Sequence, residues 1–288
     1  MAERQNVKRR TMTGEVMLRF VHKSTAVFGA AVLAVVIVMC LLAPVIAPYN
    51  YDAQDTARQF TEPCKEFICG TDNLGRDIFS RLLYGGRTSL MVGFVSAFAA
   101  AIFGVILGAI AAFYGKKVDN LIMRFLDIFM AMPQTLLAIV ISAMIGTGIK
   151  GAIIAVTVAT IPRYAQAVRG PILAIRNQEF VEAAFAIDAK DSRIILKHIL
   201  PNVLSPIIVQ VTMGVGSAIT MAASLSFLGL GVQPPHPEWG AMLSAARVYI
   251  LDHAYMVTFP GICIALVVLS LNLMGDGLRD AMDPRWKD

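Results

Sequence analysis

Long apolar runs, separated by shorter polar segments, occupy most of this chain. Several runs reach about 20 residues, the length of α-helix that crosses the hydrocarbon core of a bilayer. A transmembrane β-barrel would instead alternate apolar and polar residues in segments of about ten. The pattern therefore predicts an all-α polytopic membrane protein with six transmembrane helices, at about 25–47, 89–114, 120–145, 149–167, 205–228 and 254–274.

Three features of the runs refine this prediction. Pro133 lies inside the third run and is expected to break that helix. Gly104 and Gly108 lie in the second run at the spacing that favours close packing against another helix. No run carries a charged residue at its centre. This argues against ion-coupled transport, because proton and ion relays place ionisable groups at mid-membrane depth.

Composition and charge place the termini. Hydrophobic residues make up 57% of the chain and charged residues only 16%, against about 25% charged residues in soluble domains. Eighteen of the 25 Lys and Arg residues fall on one side of the membrane if the N-terminus is cytoplasmic. Because cytoplasmic loops carry an excess of Lys and Arg, both termini are predicted to be cytoplasmic.

The first apolar run is too long for a signal peptide and is predicted to remain as a spanning helix. The predicted division of the chain is a cytoplasmic N-terminal segment 1–24, a first transmembrane helix 25–47, an external loop 48–86 with a short amphipathic helix, a core domain 87–277 with five further spanning helices, and a cytoplasmic tail 278–288.

The external loop holds two candidate pairs of side chains. Four residues separate Cys64 from Cys69, enough to close a small ring. Disulfides form on the external side of the membrane, so this pair is a predicted disulfide, with two free thiols as the alternative. Asp77 and Arg81 are spaced i,i+4 on the expected short helix and can form an ion pair there.

One predicted cytoplasmic stretch, EAAFAIDAKDSRIILKHILPN, is unusually polar for this chain. A helix is expected from Gln178 to Ile187, with a turn at Asp188, because Asp tolerates the left-handed conformation. A second short helix is expected from Asp191, ended by Pro201. From the residues alone, the pair either binds a partner protein or rests on lipid headgroups. One side would present Phe180, Ala183, Ala184 and Ile187.

The same stretch resembles the EAA signature of bacterial ABC importer permeases. Glu182-Ala183-Ala184 match the start of the signature, Ile199-Leu200-Pro201 resemble its end, and Asp188 stands where the signature has Gly. Three further blocks resemble the dipeptide, oligopeptide and nickel branch of that family, and within it the second dipeptide permease type. They are GTDNLGRDIFSRLLYGGRTSL, SFLGLGVQPPHPEWG and NLMGDGLRDAMDP.

The resemblance implies an ABC importer type I transmembrane domain in the bacterial cytoplasmic membrane. The chain would form half of a pore with a second homologous permease. Two ATP-binding subunits would bind ATP and Mg, an external solute-binding protein would deliver a di- or oligopeptide, and this chain would hold no cofactor. Glu182, Ala183, Ala184 and Asp188 would couple the chain to the ATPases, whose closure would drive alternating access.

The sequence itself contains no phosphate-binding loop, and its four histidines are too scattered for a metal motif. No nucleic-acid partner is expected, whereas membrane lipid is. Side chains of the second to fifth spans are expected to line the path, with Met132, Gln210 and Met213 as candidates. The alternatives are a stand-alone secondary transporter or channel, a permease for nickel chelates, and a membrane anchor for a complex.

Overall fold

A computed structural model describes residues 12–282, and the chain there is almost entirely helical. Residues 1–11 and 283–288, which belong to the predicted N-terminal segment and tail, lie outside the described part. The helices are α1 Met12–His22, α2 Ser24–Leu41, α3 Ala43–Ile46, α4 Ile78–Tyr114, α5 Lys116–Met130, α6 Gln134–Ile145, α7 Ile149–Ile175, α8 Glu179–Ala186, α9 Asp191–Arg193, α10 Leu204–Phe227, α11 Trp239–Ala246 and α12 Tyr255–Met282.

The membrane class is confirmed. By length and composition, five helical stretches of the described chain can each cross a bilayer, and the α5–α6 pair makes up to a sixth. These two helices meet at 87° around Ala131–Pro133. The break at Pro133 was predicted, because proline removes a backbone donor and clashes with the preceding turn. The angle is larger than that of a kinked but continuous helix, so α5 and α6 are two separate helices.

Helix α4 begins at Ile78, well before the predicted start of the second span at residue 89. The short amphipathic helix expected within 48–86 is therefore the first part of α4 rather than a separate element. Asp77 caps it, since its Oδ2 accepts hydrogen bonds from the Ser80 backbone N–H at 2.7 Å and the Ser80 hydroxyl at 2.6 Å. The predicted Asp77–Arg81 pair is wrong, because Arg81 lies 3.7 Å from Asp72 instead.

Other predicted edges also differ from the structure. Helix α7 continues through Pro162 and Pro171 to Ile175, and α12 continues to Met282, five residues past the predicted boundary at 277. The first span ends at Leu41, followed by the single turn α3. The N-terminal segment contains α1, which the sequence did not predict.

Helices α4 and α7 form the centre of the bundle, with α10, α12 and α2 packed around them. The contact is close at the two glycines that the sequence singled out. A Cβ atom at Gly108 would lie 2.4 Å from the backbone oxygen of Ala165, and one at Gly104 would lie 2.4 Å from Tyr164 Cβ. The predicted packing role of Gly104 and Gly108 is confirmed.

Candidate functional site

Helix α8 and the turn after it form a short hairpin at the end of α7. Gln178 precedes the helix with extended backbone, and Asp188 follows it in the left-handed conformation, at φ 55°. The Asp188 N–H donates to the Phe185 carbonyl at 2.9 Å, which closes the turn. An aspartate thus fills a position where glycine has the lower steric cost.

The two faces of α8 have different surroundings. Val181 and Ala184 are buried, at 0% and 3% exposed, in a cluster with side chains of α4 and α7. Glu182 and Ala183 are exposed, and Ile187 is 76% exposed. The prediction that Ala184 shares an outward face with Ala183 is wrong. Adjacent residues of a helix point about 100° apart, and here Ala184 faces the bundle while Ala183 faces away from it.

The second half of the hairpin differs from its prediction. After α9 the chain forms a π-helical turn, Ile194–Ile199, then a 3₁₀ turn, Leu200–Val203, and enters α10 without leaving the helical path. Pro201 therefore does not end the helix. The Leu200 N–H bonds to Ile195 O, five residues back, and this wider turn changes the hydrogen-bond register just before the proline.

A cavity of about 480 Å³ lies among α7, α10 and α12. Of the three candidate path residues, Gln210 and Met213 line it, whereas Met132 lies in the α5–α6 break and is 41% exposed. Gln210 Nε2 is buried and has no hydrogen-bond partner among the described residues. Such an unpaired donor is costly unless a water or ligand satisfies it. The lining residues are Ala167, Ser205, Pro206, Val209, Gln210, Met213, Arg279 and Met282.

Arg279 was not predicted as a lining residue. It supplies the cationic group of a cavity wall that is otherwise formed by neutral side chains. The available signal was its position, one basic residue near the C-terminal end of a long apolar helix, but this position is equally typical of a residue that faces lipid headgroups. Only the packing of α12 beside α10 brings Arg279 to the cavity.

The two loop cysteines are free thiols in the structure, which therefore does not contain the predicted Cys64–Cys69 disulfide. Cys64 is exposed and its Sγ accepts a hydrogen bond from the Phe67 N–H at 3.4 Å. Cys69 is buried, and burial raises the pKa of its thiol to about 11. Within residues 12–282, no three His, Cys, Asp or Glu side chains are grouped so that they could hold a metal ion.

A multi-pass helical bundle with this hairpin fits the class that comparison with known families gives, a membrane component of an ABC importer. The chain belongs to the family of binding-protein-dependent transport system inner membrane components, whose model matches residues 104–288. Residues 11–63 match the N-terminal transmembrane domain of oligopeptide transport permease C. The resemblance of the EAA stretch to ABC importer permeases is thereby confirmed.

Among its relatives is the dipeptide transport system permease protein DppC of Alkalihalophilus pseudofirmus, 46% identical over 91% of this chain and 86% of the relative. The di/tripeptide transport system permease protein DppC of Pseudomonas aeruginosa is 42% identical, over 93% and 91%. The glutathione transport system permease protein GsiD of Escherichia coli O6:K15:H31 is 45% identical, over 96% and 92%.

Solved structures support the fold. A chain of the MetNI methionine ABC transporter in an inward-facing conformation matches 70% of this chain and 97% of its own length. The TM-score is 0.59 at 21% sequence identity. The match therefore supports the type I importer architecture that the sequence predicted.

Proposed function

We propose that this chain is one half of the pore of an importer for di- or oligopeptides. The observation that carries the proposal is the near full-length similarity to permeases named for dipeptides, di/tripeptides and glutathione. All three names denote short peptides or a molecule built like one. A nickel-chelate permease is the second candidate within the same family, and the stand-alone secondary transporter is not favoured.

The exposed face of α8 is the proposed contact with an ATP-binding subunit. Its inner face is fixed by Val181 and Ala184, while Glu182, Ala183 and Ile187 are left at the surface. A helix anchored on one side and bare on the other suits docking into a groove of a second protein. This assignment places α8, Asp188 and both termini in the cytoplasm.

The proposed assembly contains a second homologous permease, two ATPases that bind ATP and Mg, and an external solute-binding protein. Closure of the ATPases moves α8, and the helices switch the pore between its inward and outward states. This chain contributes the path and the contact surface, and the ATPases hydrolyse ATP.

The cavity lined by Gln210 and Met213 is the proposed inner part of the path. Its apolar groups tolerate varied side chains, as a peptide carrier requires. The Gln210 amide and the Arg279 guanidinium can donate to peptide carbonyl and carboxylate oxygens.

The test is purification of the tagged chain from native membranes, as wild type, Glu182→Lys and Glu15→Lys. Glu15 is an exposed glutamate of α1 and provides the matched control. ATPases and a second permease are expected with wild type and Glu15→Lys, and the ATPases are expected to be lost in Glu182→Lys. A wild-type chain that purifies alone would contradict the assembly.

Substrate class needs a second measurement on the same complex. In proteoliposomes supplied with the binding protein and ATP, a radiolabelled dipeptide is expected to accumulate, and unlabelled dipeptide is expected to compete with it. Accumulation of a nickel chelate without dipeptide uptake would favour the second candidate.

A further inference from the structure

The sharp corner between α4 and α5 contacts both flanks of the α8 hairpin. We call residues 111–119 the corner segment. Its backbone turns at Gly115 and Lys116, which have φ of 63° and 45°. Gly115 has φ 63° and ψ −163°, a backbone conformation that other residues rarely adopt, so the corner favours glycine at this position.

Three contacts join the corner segment to the hairpin. Before α8, Arg176 Nη1 donates to the Ala112 carbonyl at 2.8 Å. On α8 itself, the Phe185 ring stacks on the Phe113 ring with centroids 5.8 Å apart. After α8, the Tyr114 hydroxyl donates to Asp191 Oδ2 at 2.8 Å. The corner is therefore attached to the hairpin on both sides and at its centre.

A fourth contact joins the corner to α7. Arg169 Nε donates to Asp119 Oδ1 at 2.6 Å, and Arg169 Nη2 donates to Asp119 Oδ2 at 2.5 Å. Two parallel bonds between the guanidinium and the carboxylate fix orientation as well as distance. The Asp119 side chain is 12% exposed and that of Arg169 is 34% exposed. The carboxylate is thus largely shielded from solvent, and its bidentate geometry suits the pair to transmit a displacement without changing register.

These contacts matter because of how α8 is connected. Through the covalent chain it is attached only to α7 and, by the π-helical turn, to α10. Helix α4 already packs against α7 and α8, so it would follow them, but α5 needs a further contact to do so. The corner contacts provide that link, and α5 leads to the 87° bend before α6.

We propose that Tyr114, Asp119 and Arg169 are positioning residues that make α5 and the end of α4 move with α8 and α7 when the ATPases close. This inference rests on the proposed function. If the Asp119–Arg169 pair has this role, breaking it leaves the complex assembled and able to hydrolyse ATP, but lowers the amount of peptide transported per ATP hydrolysed. Apolar packing at the corner could slide, whereas a bidentate ion pair keeps its register.

The test uses the complete reconstituted complex with Asp119→Arg, Arg169→Asp and the double exchange D119R/R169D. The measured quantity is ATP hydrolysed per dipeptide transported. Each single change is expected to raise this ratio by roughly fivefold or more, and the exchange is expected to restore most of the coupling, as for residues that act as a pair. Single variants with the wild-type ratio, or an exchange no better than the singles, would overturn the inference.

Milder variants keep the inference testable if a charge reversal prevents folding. Asp119→Asn and Tyr114→Phe are expected to raise the ratio less, and Tyr84→Phe, near the other end of α4, is expected to leave it unchanged. An unchanged ratio in Asp119→Asn and Tyr114→Phe also overturns the inference. Failure of the proposed function is distinguishable, because the wild-type chain would then not retain ATPases or transport dipeptide.

Discussion

Charged side chains at the start of α4 are buried and bonded to one another, whereas those of the α8 hairpin, near the other end of α4, lie at the surface. At the start, Arg76 Nε donates to Asp72 Oδ2 at 2.7 Å, and both side chains are 10% exposed. Glu238 is 2% exposed and accepts from the Ser89 hydroxyl at 2.8 Å and the Ala241 N–H at 2.9 Å. Trp239 is 1% exposed and donates to the Leu82 carbonyl.

At the end of α4, the hairpin exposes apolar and charged groups together. Ile187 and Phe185 are 76% and 50% exposed, beside Glu182 and Asp188. The difference separates two kinds of stabilisation. The start of α4 is held by bonds within the chain, while the hairpin leaves an exposed face, the one proposed to contact an ATPase. Substitutions at the first site should act on folding, and substitutions at the second on coupling.

The largest loss of folding stability is expected from Asp72→Ala. This change leaves Arg76 and Arg81 buried without their carboxylate, and removing one partner of a buried pair costs about 3–5 kcal/mol. Glu66→Ala is the matched control, because its ion pair with Arg58 is exposed on both sides and is expected to contribute about 0–1 kcal/mol. Unfolding of both variants in detergent measures the difference. Equal loss in the two would contradict the comparison.

An intermediate loss of folding stability is expected from Gly108→Ala. The added methyl group collides with the Ala165 carbonyl, and such overpacking costs about 1–3 kcal/mol. Gly261→Ala makes the same chemical change on α12, where a Cβ atom would meet nothing within 4 Å. It is expected to be neutral or slightly stabilising. Thermal unfolding curves of the purified variants check this, and a Gly108→Ala chain as stable as Gly261→Ala would show that the α4–α7 contact is looser.

The smallest effect concerns the two loop cysteines. Because its pKa is raised, Cys69 carries less of the reactive thiolate at pH 7.5 than an ordinary cysteine does, and its thiol is also buried. After reduction, the exposed Cys64 should therefore react with a maleimide much faster than Cys69. Lowering the pH slows the reaction of Cys69 further, since its fraction of thiolate falls. Mass spectrometry of labelled peptides measures the rates. Labelling of Cys64 that appears only after reduction would support the predicted disulfide, and equal rates would contradict the burial of Cys69.

Hydropathy was sufficient to predict where the spanning helices lie along the chain, but not where they begin and end. The short helix with Asp77 and Arg81 was predicted, but not that it is buried and continuous with the second span, because charged residues look unsuited to a buried helix in sequence. Their partners, such as the Tyr51 carbonyl 2.9 Å from Arg81 Nη1, come from the loop before it. Helix α1 was missed because its charged residues mask a short amphipathic pattern.

In the candidate site, too, local features could be predicted from the sequence, whereas features that depend on helix packing could not. The left-handed turn at Asp188 followed from local stereochemistry, and it was predicted. The opposite environments of Ala183 and Ala184 depend on which side of α8 packs against α4 and α7, and the sequence of α8 does not specify this. The cavity at Gln210 and Met213 could be suggested from residue type, but its remaining wall depends on how α12 packs.

The central claim, that the outer face of α8 binds an ATPase, is tested most directly by cross-linking from these adjacent alanines. Ala183→Cys and Ala184→Cys are placed separately in a chain whose four native cysteines are replaced by alanine. Each is treated in native membranes with a linker that joins cysteine to lysine. Ala183→Cys is expected to form a product with an ATPase subunit, and Ala184→Cys only background. Equal products at both positions, or a product at Ala184→Cys alone, would contradict the account.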